Sequence, residues 1–396
     1  MPSSSPRHPI SPSMAGIYIH IPFCRQACSY CNFHFSVSRR QQGVLVESLL
    51  KEIRMSCDFF DQQSPAGEAI PLNTIYVGGG TPSLLPVSDI IRIFEALSAH
   101  YAFDHNTEIS LEANPDDLSR EKLKALRQTP VNRLSIGVQS FHLPDLRYMN
   151  RLHTPQQAVG SLHEAMAAGF DNLTVDLIYG TPTLSDALWE ENLMQLIGLG
   201  IPHISAYALT VEEKTPLHYL IRKGRAAPVE DEQTARQYRM MLPLMESRGY
   251  AHYEVSSFGL PGRFSRHNLA YWTGRPYLGI GPSAHSYKPG FRCWNIANTT
   301  AYIRDIGQGV LPRQSEMLTA AQSFDEYLMT SLRTMWGCDL DRVEALWGKT
   351  RREALEKEAA RHIAGGLMER RADHLVLNSQ GMLFADGIAA DMFWVS

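Results

Sequence analysis

Short apolar runs typical of β-strands alternate with longer segments of helical periodicity through the first half of the chain. Because parallel strands are joined by helical crossovers, this alternation predicts an α/β fold with a parallel sheet. Six units are too few for a closed eight-stranded barrel, so the choice lies between a flat doubly wound sheet and a partial (β/α)6 TIM-like barrel. The expected strands cover residues 16–21, 74–77, 108–111, 133–138, 172–178 and 203–206.

The expected helices carry their own start and stop signals. Residues 44–59 and 89–100 place apolar side chains on one face at helical spacing. The helix over 155–168 has Thr154 at its N-cap, Pro155 in its first turn and Gly169 just past its end. Polar residues at the strand ends are therefore not needed as helix caps.

Glycine-rich or polar segments follow nearly every expected strand. Barrel folds build their functional site at the carboxyl ends of the strands, so these segments favour the partial barrel and surround one mouth. Taken singly, each has a structural explanation, since glycines make tight turns and loop carboxylates cap helices or face solvent. The segments are 78–81, 112–115, Gln139 with Ser140, Asp176 and Tyr207.

A C-x3-C-x2-C run, formed by Cys24, Cys28 and Cys31, follows the first strand. Zinc and [4Fe–4S] sites normally take four protein ligands, and no distant cysteine or histidine pair completes this set. A cubane held by three thiolates keeps one iron open for a ligand. Structural zinc with His20 or His34 as fourth ligand stays an alternative, whereas an odd cysteine cluster without a signal peptide argues against a disulfide.

The cysteine run belongs to a series of motifs that continues to residue 182. The motifs YIHIPFC, CSYC, GGGTPS, SLEANPDD, RLSIGVQSF, MNRLH and VDLIYGTP occur in this order. Together they resemble the coproporphyrinogen-dehydrogenase-like branch of the radical S-adenosyl-L-methionine (SAM) superfamily. The resemblance implies a partial barrel of the radical SAM type, a [4Fe–4S] cluster on the three cysteines, and SAM chelating the open iron.

Matching the motifs residue by residue also implies a set of SAM contacts. Backbone amides and Thr81 suit the carboxylate end of SAM, and Arg151 offers a planar fork to a carboxylate. Glu112 and Asp176 can accept hydrogen bonds from ribose hydroxyls or from the amino group. The implied contacts are Tyr18, Tyr30, Gly79, Gly80, Thr81, Glu112, Gln139, Arg151, Asp176 and Ala208.

An H-N-x-x-Y-W motif lies in the glycine- and aromatic-rich segment beyond the barrel. A histidine beside aromatic residues is more often a satisfied core residue than a ligand. The motif nevertheless resembles one in haem-carrying members of the branch, and imidazole is a usual axial ligand of haem iron. The resemblance therefore implies a haem site with His267, Asn268, Tyr271 and Trp272.

The chain divides into four expected parts. A Ser/Pro-rich leader over 1–13 is expected to be disordered, and the barrel covers 14–228. An α/β extension with the H-N-x-x-Y-W motif covers 229–315, and a small helical, winged-helix-like domain covers 316–396. Its wing is expected to pair residues 374–377 with residues 382–385.

Two functions compete within this branch. Oxygen-independent coproporphyrinogen III dehydrogenases of porphyrin biosynthesis carry a fourth cysteine where this chain has Phe33, and they have a longer N-terminal arm. The resemblance therefore favours a haem chaperone, which binds haem and delivers it to apo-haemoproteins such as respiratory enzymes. A zinc-stabilised scaffold protein is the third possibility.

Composition limits the partners and the compartment. The formal net charge of −4 gives no electrostatic case for nucleic acid, and no apolar run is long enough to span a bilayer. We therefore expect a cytoplasmic protein, with association at a membrane surface and oligomeric state left open. Cys57, Cys293 and Cys338 receive no role, because isolated cysteines are usually small core residues.

Overall fold

Twelve strands form one sheet in the computed structural model, which describes residues 15–60 and 71–394. The expected disordered leader lies outside these residues. The centre of the sheet is parallel and contains β1 (Ala15–Ile21), β2 (Leu72–Gly79), β3 (Glu108–Ala113), β4 (Arg133–Gln139), β5 (Leu173–Tyr179) and β6 (His203–Ala208), in this order. All six strands expected from the sequence are confirmed, with ends that differ from the expected ones by at most two residues.

Helices and short 3₁₀ turns connect these strands, as parallel pairing requires. The connections contain α1 (Gln42–Met55), α2 (Val87–Ser98), α3 (Arg120–Leu126), α4 (Leu143–Tyr148), α5 (Pro155–Ala167) and α6 (Asp186–Gly198), with 3₁₀ turns at Pro82–Leu84 and Pro115–Asp117. The start of α5 has the predicted cap: Thr154 and Gln157 form a reciprocal capping box, and Gly169 follows with φ +91°.

Residues beyond β6 extend the same sheet at both edges. At the β6 edge, β8 (Ser257–Gly259) and β7 (Ala251–Glu254) pair antiparallel, and at the other edge β9 (Tyr277–Ile280) pairs parallel with β1. Beyond β9 come β10 (His285–Lys288), β11 (Phe291–Asn295) and β12 (Arg313–Met317), and the helices of this region are α7 (Pro216–Arg222), α8 (Asp231–Ser247), α9 (Arg266–Trp272) and α10 (Thr299–Gly307). The edge strands β7 and β12 do not pair with each other in the described part of the chain, so the sheet stays open.

A buried ionic network joins the extension to the first helix. The carboxylate of Glu52 on α1 accepts hydrogen bonds from the backbone N–H of Gly281 (2.7 Å) and from the Asn295 side chain (2.8 Å). It also accepts one from the Tyr302 hydroxyl and pairs with Arg313 at 3.0 Å. Because one partner lies on β12 and another on α10, this contact fixes the outer strands against the barrel. The expected domain boundaries stay a prediction.

The C-terminal part is helical with a small antiparallel sheet. Its elements are α11 (Ala320–Leu332), β13 (Cys338–Asp339), α12 (Leu340–Trp347), α13 (Lys349–Ala364), β14 (Met368–Arg371), β15 (His374–Leu377), a 3₁₀ turn at Gly381–Phe384 and α14 (Ala385–Ala390).

The strand pairing predicted for the wing hairpin is wrong. Residues 374–377 form β15, but they pair with the preceding β14 and not with residues 382–385. The turn passes through Ala372, which has φ +52°. After β15 the Asn378 side chain accepts hydrogen bonds from the backbone of Gln380 and Gly381, and this favours a helical turn over a returning strand.

Candidate functional site

The loops at the carboxyl ends of β1 to β6 open on one cavity of about 530 Å³. The three cysteines line this cavity together with every SAM contact that the resemblance implies. Its lining includes Cys24, Cys28, Cys31, Tyr18, Tyr30, Gly79, Gly80, Thr81, Glu112, Gln139, Arg151, Asp176 and Ala208. Residues separated by up to 190 positions in sequence therefore meet at one mouth.

The cysteine loop is held from both sides. The backbone N–H of Cys24 donates to Ser36 O at 3.0 Å. The backbone N–H of Ser29 donates to Met149 O at 3.1 Å, and its hydroxyl donates to Tyr148 O at 2.9 Å. These contacts tie the loop to the C-terminal end of α4. The three half-buried thiols consequently face the cavity from a fixed backbone.

The donor set fits a [4Fe–4S] cluster. Burial raises the pKa of the Cys24 thiol to about 11 and also raises the pKa of Cys31, so without a metal these thiols stay protonated. No group of His, Cys, Asp and Glu side chains in the described residues surrounds a single metal ion. In a cubane each thiolate binds a separate iron, so the three thiols need not converge on one metal position.

The two candidate fourth ligands for zinc differ in their ring nitrogens. Both ring nitrogens of His20 are hydrogen-bonded, to the Tyr18 hydroxyl at 3.1 Å and to His34 O at 3.0 Å. A zinc-bound histidine must have a free nitrogen directed at the metal, so this geometry argues against His20 as the ligand. His34 uses only Nε2, which lies 3.0 Å from the Thr299 hydroxyl, so its hydrogen bonding does not decide between zinc and a cluster.

Arg151 organises the wall next to the cysteines. Its guanidinium donates to Cys28 Sγ (3.3 Å), to the Asn114 side-chain oxygen (2.6 Å) and to Gly137 O (2.7 Å). Asn114 in turn donates to the Thr81 hydroxyl at 3.1 Å, and that hydroxyl lies 3.6 Å from Cys24 Sγ. Sequence reasoning placed Asn114 at the mouth but gave it no role, because its partners lie on other strands.

Two buried polar atoms of this wall lack a partner among the described residues. They are Nε of Arg151 and the side-chain oxygen of Gln139. Gln139 also has φ +66°, a left-handed conformation that a non-glycine residue adopts at a cost. Unpaired polar atoms on a cavity wall are costly without a ligand, so they mark where polar groups of a bound molecule would lie.

Glu112 and Asp176 form an acidic side of the same cavity. Glu112 accepts hydrogen bonds from the Tyr76 hydroxyl at 2.8 Å and from the backbone N–H of Gly79 at 2.9 Å. Burial raises the pKa of Glu112 to about 7 and that of Asp176 to about 6, and the two charges oppose each other. A cationic or hydroxyl-bearing ligand between them would relieve this cost.

Gly80 allows the end of β2 to touch the cysteine loop. A Cβ atom at this position would lie 2.7 Å from Phe23 O and 2.9 Å from Phe23 N. The backbone N–H of Gly80 instead donates to Ile21 O at 2.8 Å. Only glycine permits this approach, which places the glycine loop directly beside the cysteines.

His267 occupies a different place from the one expected of a haem ligand. Its Nδ1 lies 2.8 Å from the Thr74 hydroxyl and its Nε2 lies 2.8 Å from the Tyr271 hydroxyl. The ring is buried and stacks on Tyr76 at 5.0 Å, and burial lowers its pKa to about 3. With both nitrogens bonded, His267 acts here as a core residue. Its role as a ligand stays a prediction that this geometry does not favour.

The other motif residues divide between two environments. Tyr271 and Trp272 line a second cavity of about 810 Å³, whereas His267 and Asn268 do not. Arg333 covers the Trp272 ring at 5.0 Å. The second cavity shares Tyr18, His20 and Phe33 with the first, so the two lie side by side. Sequence reasoning missed this cavity because its walls come from β9 to β11 and from the C-terminal helices.

Comparison with known proteins identifies the family. The family model described as the radical SAM superfamily matches residues 18–196, and the HemN C-terminal domain model matches residues 318–384. The curated relatives include the heme chaperone HemW of Mycobacterium tuberculosis, which is 34% identical over 374 residues, covering 94% of this chain and 93% of that protein. The chain belongs to the HemN/HemW-like family of radical SAM proteins.

Two further relatives and one solved structure support the same family and fold. The heme chaperones HemW of Bacillus subtilis and Escherichia coli are 32% and 30% identical, covering 95% and 94% of this chain and 98% and 96% of those proteins. The solved structure of Escherichia coli HemN, a coproporphyrinogen III oxidase, matches with a TM-score of 0.81 at 23% identity, over 96% of this chain and 90% of that chain. At this identity the match supports the fold alone. The predicted family and fold class are confirmed.

The individual site residues stay predictions. What the family membership adds is the expectation of a [4Fe–4S] cluster and SAM at the first cavity. Among the described residues, no helix combines the length and the apolarity that crossing a bilayer demands.

Proposed function

We propose that this protein is a haem chaperone. It holds a [4Fe–4S] cluster on Cys24, Cys28 and Cys31, binds SAM in the first cavity, binds haem, and delivers the haem to apo-haemoproteins such as respiratory enzymes. The reduced thiols suit the cytoplasm, where we place the protein. The observation that carries the proposal is that relatives named heme chaperone HemW match the chain over nearly its whole length.

The cavity geometry supports the cofactor part of the proposal. Three free thiols face a space that is also lined by an arginine fork, an acidic pair and a glycine loop. These groups suit the carboxylate, amino and hydroxyl groups of SAM. When bound to the open iron, SAM could be cleaved reductively by the cluster.

Phe33 supports the chaperone over the dehydrogenase. Its side chain is 70% exposed and lines both cavities at the position where the dehydrogenases carry a further cysteine. Phenylalanine has no thiol, but its exposed ring offers apolar surface to a flat ligand. The alternative function, oxygen-independent coproporphyrinogen III decarboxylation, goes with a cysteine at position 33, where this chain has phenylalanine.

The test begins with anaerobic reconstitution with iron and sulfide. The reconstituted protein is titrated with haemin, and the haem-loaded protein is then mixed with an apo-haemoprotein. We expect a saturable Soret band and its transfer to the acceptor. In parallel, coproporphyrinogen III is supplied with SAM and a reductant.

Two outcomes would overturn the proposal. One is the absence of saturable haemin binding by the folded, cluster-loaded protein. The other is efficient formation of protoporphyrinogen IX, which would assign the chain to the dehydrogenases. Protein loaded with cluster but without SAM is the matched control, because it separates haem binding from any SAM-dependent reaction.

A further inference from the structure

The second cavity has the size and composition of a site for a large flat ligand. Its volume of about 810 Å³ lies in the upper part of the range for small-molecule sites. Aromatic rings dominate one wall: Tyr271 contacts Tyr277 edge-on at 4.5 Å, and Tyr277 stacks with Tyr287 at 6.1 Å. The other wall comes from α11 and α12, including Met329 and Trp347.

One histidine of this cavity has no hydrogen bond on its ring nitrogens among the described residues. His285 lies at the start of β10 and stacks on Trp294 at 6.0 Å. In contrast, His20 and His34 also line the cavity but bond to neighbouring groups through their rings. An exposed, neutral imidazole with free nitrogens is what an axial ligand of haem iron requires.

A cation without an acidic partner lies on the opposite wall. The guanidinium of Arg342 lies 4.7 Å from the centre of the Tyr327 ring, and no carboxylate pairs with it in the described part of the chain. Arg292, which also lines the cavity, is already paired with Glu316 and Glu326. Arg342 is therefore available for a carboxylate of the ligand.

We propose that the second cavity is the haem site, with the imidazole of His285 as the iron ligand and Arg342 as the partner of a porphyrin carboxylate. His267 is then a positioning residue: its hydrogen bond to the Tyr271 hydroxyl holds the tyrosine in the cavity wall. This assignment rests on the proposed function, since it requires that the protein binds haem.

The test compares two ligands and four variants. Haemin and metal-free protoporphyrin IX are titrated into the cluster-loaded wild type, His285→Ala and Arg342→Gln, and His267→Gln is titrated beside them. The control is His163→Ala, which changes an exposed histidine on α5. We expect His285→Ala to shift the Soret band and weaken haemin binding by about tenfold or more, with little change for the metal-free ring. Arg342→Gln should weaken both ligands by several-fold.

The outcomes separate this assignment from the proposed function. If the wild type binds haemin and both variants match His163→Ala in affinity and spectrum, the haem lies elsewhere and the assignment is overturned. If the wild type binds no haemin, the proposed function itself fails. A Soret shift in a folded His267→Gln variant, with none in His285→Ala, would return the ligand role to His267.

Discussion

At the scale of single residues, Cys31 and Cys57 provide a matched pair. Cys31 is half-buried at the first cavity, whereas Cys57 is exposed just after α1. Because each thiolate binds its own iron, Cys31→Ser should reduce the reconstituted content from about four irons per chain to near zero. Cys57→Ser should leave iron and sulfide unchanged. Stoichiometric zinc without sulfide in anaerobically purified wild type would contradict the cluster assignment.

Glu112 gives a prediction for pH. Its folded-state pKa of about 7 lies above the value of an exposed glutamate, so the folded state binds more protons than the unfolded state between these values. Without SAM, the free energy of unfolding should therefore fall as pH rises from about 5 to 8, with Glu112 contributing roughly 2–3 kcal/mol of that fall. Asp176 acts in the same direction, over a lower range.

Chemical denaturation of wild type and Glu112→Gln at pH 5 and pH 8 measures this contribution. The variant should lose less stability between the two values than the wild type. Equal losses of stability in the two proteins would mean that Glu112 is ionised at both pH 5 and pH 8. The hydrogen bonds to its carboxylate would then offset the cost of burying the charge. Glu121→Gln, at an exposed position on α3, is the control and should follow the wild type.

The residues of the first cavity could be predicted because they belong to sequence motifs. The hydrogen-bond partners of His267 could not be predicted in this way. The sequence shows Tyr271 four positions away, but Thr74 bonds the ring from 193 positions earlier. Only the packing of α9 against β2 creates that contact. A local motif cannot reveal whether a histidine is already satisfied by a distant strand.

At the scale of elements, Gly80 tests the contact between the β2 end and the cysteine loop. In Gly80→Ala the new methyl group would meet the Phe23 backbone, which cannot move without the loop. We expect a loss of about 1–3 kcal/mol in stability and poorer cluster retention. Gly160→Ala is the control: nothing lies within 4 Å, and the change in α5 should stabilise by roughly 0.5–1 kcal/mol. Unchanged cluster retention in Gly80→Ala would mean that the loop tolerates the displacement.

Element length explains which strands were predictable. The six central strands have six to eight residues and bury both faces, so they appear in the sequence as apolar runs. The outer strands β7 to β10 have only three or four residues, and their pairing is set by contacts across the sheet. The hairpin error has the same origin, because β14 (MERR) shows no strand pattern of its own.

At the scale of the whole molecule, the Glu52 network tests whether barrel and extension form one cooperative unit. Arg313→Met removes the partner of a buried carboxylate and should cost about 3–5 kcal/mol. Arg304→Met, which breaks an exposed pair with Asp305, should cost less than about 1 kcal/mol. Thermal and denaturant unfolding should show one transition in both variants. Two separated transitions in Arg313→Met would show that the extension unfolds independently.

The parallel pairing of β9 with β1 has a consequence for how a ligand would leave the second cavity. One wall of the second cavity consists of β9, β10 and β11, and each of these strands is hydrogen-bonded to neighbouring strands of the sheet. This wall is therefore rigid. The opposite side consists of α11 and α12, where Met329 and Leu346 are exposed and α12 has only eight residues. Helices with exposed side chains separate from their neighbours at lower cost than the strands of a continuous sheet. Under the proposed function, we therefore expect a ligand of the second cavity to leave beneath α11 and α12.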